Sequence, residues 1–165
     1  MSAILDDTRV YRYRLSRPAL DASVPPVLWV GLNPSKADET VDDPTVRKLY
    51  GFQVQWSLNT RGATELVNAF ALRATDPKDL RRHPDPVGPD NDDYIRRAAD
   101  EVVSDKGTIV VAWGAHPFAQ VRARRVREIL WPFELMCLGV TKDGSPRHPL
   151  YVPYSHPLVP WEGYQ

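Results

Sequence analysis

Four short apolar runs constrain this chain more than any other feature. They are Val27-Leu28-Trp29-Val30 and residues 64–70, 108–112 and 133–138. The first is continuously apolar, the mark of a strand buried on both faces, and the other three read as further strands of the same sheet. Helical signals lie between them. Asp43-Pro44 supplies an N-cap followed by proline at the first helical position, and Val46, Leu49, Tyr50 and Gln53/Val54 then recur at helical spacing to about Trp56. Thr75-Asp76-Pro77 repeats the signal for a short helix to about Arg82. Residues 90–103 form an amphipathic pattern with Tyr94, Ile95, Ala98, Ala99 and Val102 on one side, and residues 114–130 read as a helix behind a glycine turn. Strand and helix in alternation imply a parallel sheet covered on both faces. The expected fold is therefore α/β, a three-layer α/β/α sandwich with a central, mostly parallel four-stranded sheet. Residues 8–15 alternate in character and predict an N-terminal edge strand or hairpin arm.

A length of 165 residues suits one domain. Its expected parts are an N-terminal strand and loop over 1–26, a core over 27–151 and a loop-rich tail over 152–165. Sixteen prolines punctuate the chain, five of them after Lys142. The single cysteine, Cys137, lies in an apolar run, which excludes a disulfide framework and a cysteine-based zinc site. No run is long and apolar enough to cross a membrane, and residues 1–7 lack a basic segment followed by an apolar one. The expected location is the cytoplasm, with no membrane partner. Basic and acidic residues balance at 21 each, so nucleic-acid binding would need a local patch. Residues 122–127 are basic, and residues 38–43 and 85–93 are acidic.

Ligands of parallel α/β sheets bind outside the carboxyl ends of the strands. The polar side chains just past the four runs are Asn33, Asn68, His116 and His148. Gly31-Leu32-Asn33-Pro34-Ser35 makes a tight turn where glycine permits close backbone approach. Asn33 there can orient a water or bond a substrate, or simply cap backbone groups. Asn68 offers donor and acceptor to the edge of a planar ring, or is satisfied by backbone. His148 sits between prolines that fix its backbone, and an imidazole can stabilise a developing anion. Asp38, Glu39, Asp42 and Asp43 read as helix capping and a solvated face rather than a metal site. Gly-x-x-x-x-Gly-Lys-Ser/Thr, Gly-x-Gly-x-x-Gly and Gly-x-Ser-x-Gly are all absent.

Taken together, the strand ends resemble the uracil-DNA glycosylase superfamily. Gly31-Leu32-Asn33-Pro34 is similar to its Gly-x-(Asp/Asn)-Pro turn, and Glu65-Leu66-Val67-Asn68 to its Leu-Leu-Asn strand. Val110-Val111-Ala112-Trp113-Gly114-Ala115, followed by Ala119-Gln120, is similar to its Trp-Gly junction, and His148-Pro149 to its C-terminal His-Pro motif. The order holds over about residues 27–151. The chain resembles more closely, over nearly its full length, a bacterial and phage family catalogued as domain of unknown function 1643. Leu32-Asn33-Pro34-Ser35-Lys36-Ala37-Asp38, Asp42-Asp43-Pro44-Thr45, residues 69–77, Ala112-Trp113-Gly114-Ala115 and residues 142–151 carry that likeness.

The glycosylase resemblance implies a function and roles. The protein would recognise a nucleobase, modified or not, and hydrolyse its N-glycosidic bond in DNA or in a nucleotide. Asn33 would hold the attacking water, Asn68 would bond the base edge, and Phe52 or Tyr50 would stack on the base. His148 would stabilise charge on the departing base, and the target nucleotide would be flipped out of its stack. Gly31, Pro34, Ser35, Lys36, Arg73, Gly114, Lys142, Arg147 and Leu150 are the implied loop and phosphate contacts. No metal or organic cofactor is implied, nor any oligomeric state. Asn33 stands where the most active branch has aspartate, which predicts slower water activation because an amide is no general base. Ser35-Lys36 replaces that branch's Tyr-His, and Leu150 stands where a serine often holds a phosphate. Two other classes remain: a non-catalytic module for a nucleobase or nucleotide, and an α/β protein acting on an unrelated small molecule. Convergence of Arg73, Lys142, Arg147 and the 122–127 run beside Asn33 and His148 would favour a phosphate-bearing ligand.

Overall fold

All four apolar runs become strands, and they pair in parallel. They are β3 (Val27–Gly31), β4 (Thr64–Asn68), β5 (Thr108–Val111) and β6 (Leu135–Cys137). The computed structural model describes residues 1–164, with every side chain among them except that of Pro77. Side chains alternate across the sheet with period two. Leu28 and Val30 face one side and Trp29 the other. On the first side α2 (Asn91–Ser104) and α3 (Gln120–Ile129) bury Ile95, Ala98, Ala99, Val102, Ala123 and Val126. On the other, α1 (Pro44–Trp56) buries Val46, Leu49 and Phe52 against Trp29, Leu66 and Val110. Three layers result. The start of α1 is fixed by Asp43, whose Oδ1 accepts the Val46 N–H at 2.9 Å, with Pro44 at the first helical position.

The sheet is larger than the four strands expected. β1 (Ser2–Leu5), β2 (Arg12–Arg17) and β7 (Val159–Pro160) extend it to the order β1-β2-β4-β3-β5-β6-β7. The added strands are antiparallel to their neighbours. β2 is not an edge strand, since β1 covers its outer side. The tail supplies β7, anchored by the buried Trp161 ring edge-on to Trp113 at 5.1 Å. The helix expected from residue 114 begins later, because Gly114 has φ +79° and His116 is held extended before Pro117. Residues 117–119 are a 3-10 turn, as are Pro77–Arg81 and Pro149–Tyr151. No described helix is long and apolar enough to cross a membrane.

An irregularity in β2 decides where two charges go. Ile4 faces Arg14 and Leu5 faces Arg12, so Tyr13 is an extra residue, a bulge. Tyr13 stacks on Tyr94 of α2 at 4.8 Å, and Arg14 bonds Glu101 of α2 at 2.6 Å. Leu15 joins the α1 side, and Arg17 reaches Asp42 ahead of α1. The bulge also turns Arg12 to the α1 side. In an unbroken strand Arg12 would share the face of Arg14.

Candidate functional site

A cavity of about 620 Å3 opens at the carboxyl ends of β3, β4 and β5, on the α1 side of the sheet. That volume falls in the range of small-molecule sites. Trp29, Leu49 and Leu66 form its apolar part, and Gly31, Asn68, Ala112 and Gly114 its strand-end part.

Asn33 stands in the wall with its amide fixed. Nδ2 donates to the carbonyls of Pro34 at 2.9 Å and Ala74 at 2.7 Å. Both amide hydrogens are therefore engaged, which leaves Oδ1 as the acceptor for a water or ligand. Asn68 closes β4 and is 2% exposed. Its Nδ2 is buried with no protein partner, while its backbone carbonyl accepts from Asn91 at 3.0 Å. An orphaned amide donor is costly unless something in the cavity accepts from it. Gly31 pairs with Asn68 in register, and a Cβ at Gly31 would come within 2.8 Å of Asn68 Oδ1. Glycine is thus required for the amide to hold its position.

His148 caps the 149–151 turn. Its Nδ1 accepts the Leu150 N–H at 3.3 Å, so in the neutral ring the proton sits on Nε2. Burial pushes the imidazole below its usual range, His116 adds to that, and Asp43 opposes it. His148 is thus held as a neutral Nε2–H donor. Gly114 permits this packing, since a Cβ there would lie 3.2 Å from His148 Cβ. His116 also lines the cavity, its imidazole likewise pushed down by burial.

The structure brings Gly31, Asn33, Ser35, Asn68, Gly114, Arg147, His148 and Leu150 together in this wall. Pro34 is buried behind it and contributes the carbonyl that fixes Asn33. Lys36 and Arg73 line an adjoining open recess of about 520 Å3, which shares Ser35, Ala74 and Thr75 with the cavity. Lys142 is exposed and outside both. The 122–127 run does not converge on the site. Arg122 is buried, donates to Ala69 O at 2.6 Å and pairs with Asp92 of α2, and Arg125 joins Asp92 and Glu128. That run ties α3 to α2.

Phe52 and Tyr50, expected to stack on a base, do not reach the cavity. Phe52 falls on the sheet-facing stripe of α1 and is fully buried among Trp29, Trp56 and Tyr154. Tyr50 donates its hydroxyl to Asp42 at 2.8 Å, and Arg61 lies over its ring at 4.3 Å. The aromatic rings of the wall are Trp29, His116, His148 and Tyr151, of which Tyr151 is 84% exposed. Sequence reasoning also missed Arg12, Asp43, Thr45 and Thr75 in the wall. Asp43 is legible as an N-cap, and that role hides its second one. Among the described residues no group of three or more His, Cys, Asp or Glu side chains is placed to hold a metal ion.

No curated protein and no solved structure matches this chain. One family model does, and it spans residues 12–150, which include every wall residue of the cavity except Tyr151. The chain belongs to the family described as Protein of unknown function (DUF1643).

Proposed function

We propose that this cavity recognises a nucleobase and hydrolyses its N-glycosidic bond. The observation that carries the reading is the orphaned Nδ2 of Asn68, buried in the same wall as Asn33 and His148. A carbonyl oxygen on a base edge is the acceptor such a donor lacks. The strand-end likeness to uracil-DNA glycosylases supports the same assignment.

The chemistry follows from the groups present. Water held on Asn33 Oδ1 attacks the anomeric carbon, and the C–N bond breaks with its electron pair going to the base. The His148 Nε2–H faces the charge that develops there, which a preorganised neutral donor stabilises without giving up its proton. Asn33 orients the water but cannot take its proton. Asp43 is a carboxylate of the wall, and its Oδ1 already accepts from Val46, so Oδ2 is the atom free to receive that proton.

A mass-spectrometric screen for free base released from DNA, RNA and nucleotides with altered bases tests the reading. Release should fall about 100-fold or more in Asn33→Ala and His148→Ala variants that remain folded. Full turnover in those variants would remove the assigned site. A base that binds but survives prolonged incubation would make the protein a non-catalytic binding module.

A further inference from the structure

Arg12 is the feature that hydrolysis does not use. It is 1% exposed, yet it lines the cavity. Its Nη1 donates to Ala37 O at 2.7 Å, and its Nε is buried with no partner. Among the described residues, no carboxylate lies within ion-pair distance of it, whereas its neighbour Arg17 pairs with Asp42 at 2.7 Å. Burial lowers the guanidinium to about 10, with Asp43 raising it and Arg73 and Arg17 lowering it, so it stays charged at neutral pH. A buried charge with no carboxylate in contact is expensive. A bulge in β2 points it toward the cavity, and bulges of this kind re-aim side chains beside sites.

We propose that Arg12 forms an anion subsite that holds the terminal phosphate of a free nucleotide. The nucleotide half of this proposal rests on the nucleobase reading above; the anion half does not. A guanidinium with a free Nε edge suits a phosphoryl group, which accepts charge-assisted hydrogen bonds from it. Position selects the kind of phosphate. A nucleotide flipped from a polymer keeps its phosphodiesters at the mouth of the site, joined to both neighbours. A phosphomonoester end carries no such tether and can reach a residue that is 1% exposed. The basic recess beside the cavity, with Arg9, Lys36 and Arg73, is open and would meet the mouth side instead.

Calorimetric titration of the full chain tests this. The probes are inorganic phosphate, the common nucleosides and deoxynucleosides, their 5′-monophosphates, and single-stranded oligonucleotides carrying the same residues internally. A monophosphate should bind about 10- to 100-fold tighter than its nucleoside, the range of a charge-assisted contact. Arg12→Met should abolish that advantage and leave nucleoside binding intact, and Arg12→Lys should restore part of it. The lysine variant also serves if the methionine variant fails to fold. Equal affinity for nucleoside and monophosphate would overturn the subsite while the nucleobase reading stands. Arg12-dependent binding of inorganic phosphate, with no nucleoside or nucleotide bound, would uphold the anion site and overturn the nucleobase reading. Preference for the internal oligonucleotide would overturn the free-nucleotide assignment, as would no binding of any probe.

Discussion

Arg17 and Arg12 leave the same strand on the same face, and both are at most 2% exposed. Their surroundings differ. Arg17 donates to Asp42 Oδ1 at 2.7 Å and to the carbonyls of Asp38, Ser16, Ser2 and Val41 at 2.6, 3.1, 3.3 and 3.4 Å. Arg12 has one carbonyl, that of Ala37, and a bare Nε. The first corner is closed: charge, counter-charge and carbonyls satisfy one another. The second opens onto the cavity and is complete only with something added. Structural charges and ligand-seeking charges can thus sit a few residues apart on one strand, and partner accounting separates them where burial does not.

The largest expected effect breaks the closed corner. Arg17→Met strands four carbonyls and leaves Asp42 only the Tyr50 hydroxyl, and breaking a buried pair typically costs about 3–5 kcal/mol. The Asp42 side chain is 20% exposed and keeps some water, so we expect about 3 kcal/mol. Urea unfolding measures it. A midpoint like that of the parent protein would show that Arg17 is no better anchored than Arg12.

Next is the glycine that shapes the open side. Gly31→Ala places a Cβ 2.8 Å from Asn68 Oδ1 and should cost about 1–3 kcal/mol through overpacking. Combining it with Asn68→Ala should recover much of that cost. A double-mutant cycle reads the coupling directly. Additivity would mean that the strain falls elsewhere and that the amide does not depend on this glycine.

Much of this architecture is legible in the sequence, and the elements that are not share a common cause. The four parallel strands declare themselves because strands buried on both faces are mostly apolar; even β4, which carries Glu65 and Asn68, has Leu66 and Val67 at its centre. Asp43-Pro44 marks the start of α1 because capping is a local matter. β1 and β7 have too few residues to show a pattern: Ser2–Leu5 is half exposed, and β7 is only Val159–Pro160. Strand ends in a parallel sheet gather by rule, so Asn33, Asn68 and His148 group together from their sequence positions alone. Arg12 does not, because a one-residue bulge reverses which face it occupies and nothing in residues 11–15 announces the bulge. Phe52 and Tyr50 fail as base-stacking rings for a related reason. They sit one helical turn from the cavity-lining Leu49 or beside it, and rotation about α1 places one inside the core and the other on Asp42.

A smaller effect concerns Arg12 itself. Arg12→Met removes an unpaired buried charge and one bond to Ala37. Replacing a poorly paired buried ion with an apolar side chain is often neutral or stabilising. The unfolding free energy should stay within about 1 kcal/mol of the parent in phosphate-free buffer, against the clear loss for Arg17→Met. Phosphate should then raise the parent's melting temperature and leave that of the variant unchanged. A loss equal to that of Arg17→Met would make the two corners equivalent and Arg12 structural.

The mildest test uses pH, and it acts on the open corner. His148 and His116 both have imidazoles pushed down, chiefly by burial. In the unfolded chain they titrate near the ordinary value of about 6.5. Between that value and the lower folded one, the unfolded state binds more protons, so stability must fall as pH falls. The contribution is fully present above about pH 6.5 and declines as the pH drops below it. The partners of Arg17 include no histidine. His148→Gln should flatten the decline in part, and the double variant His116→Gln/His148→Gln should flatten it further. The same window should weaken any ligand that needs a neutral Nε2–H, because a second proton on Nδ1 would confront the Leu150 N–H it now accepts from. Unfolding curves from about pH 5 to 8 that decline equally in parent and double variant would place the acid-sensitive groups outside the cavity.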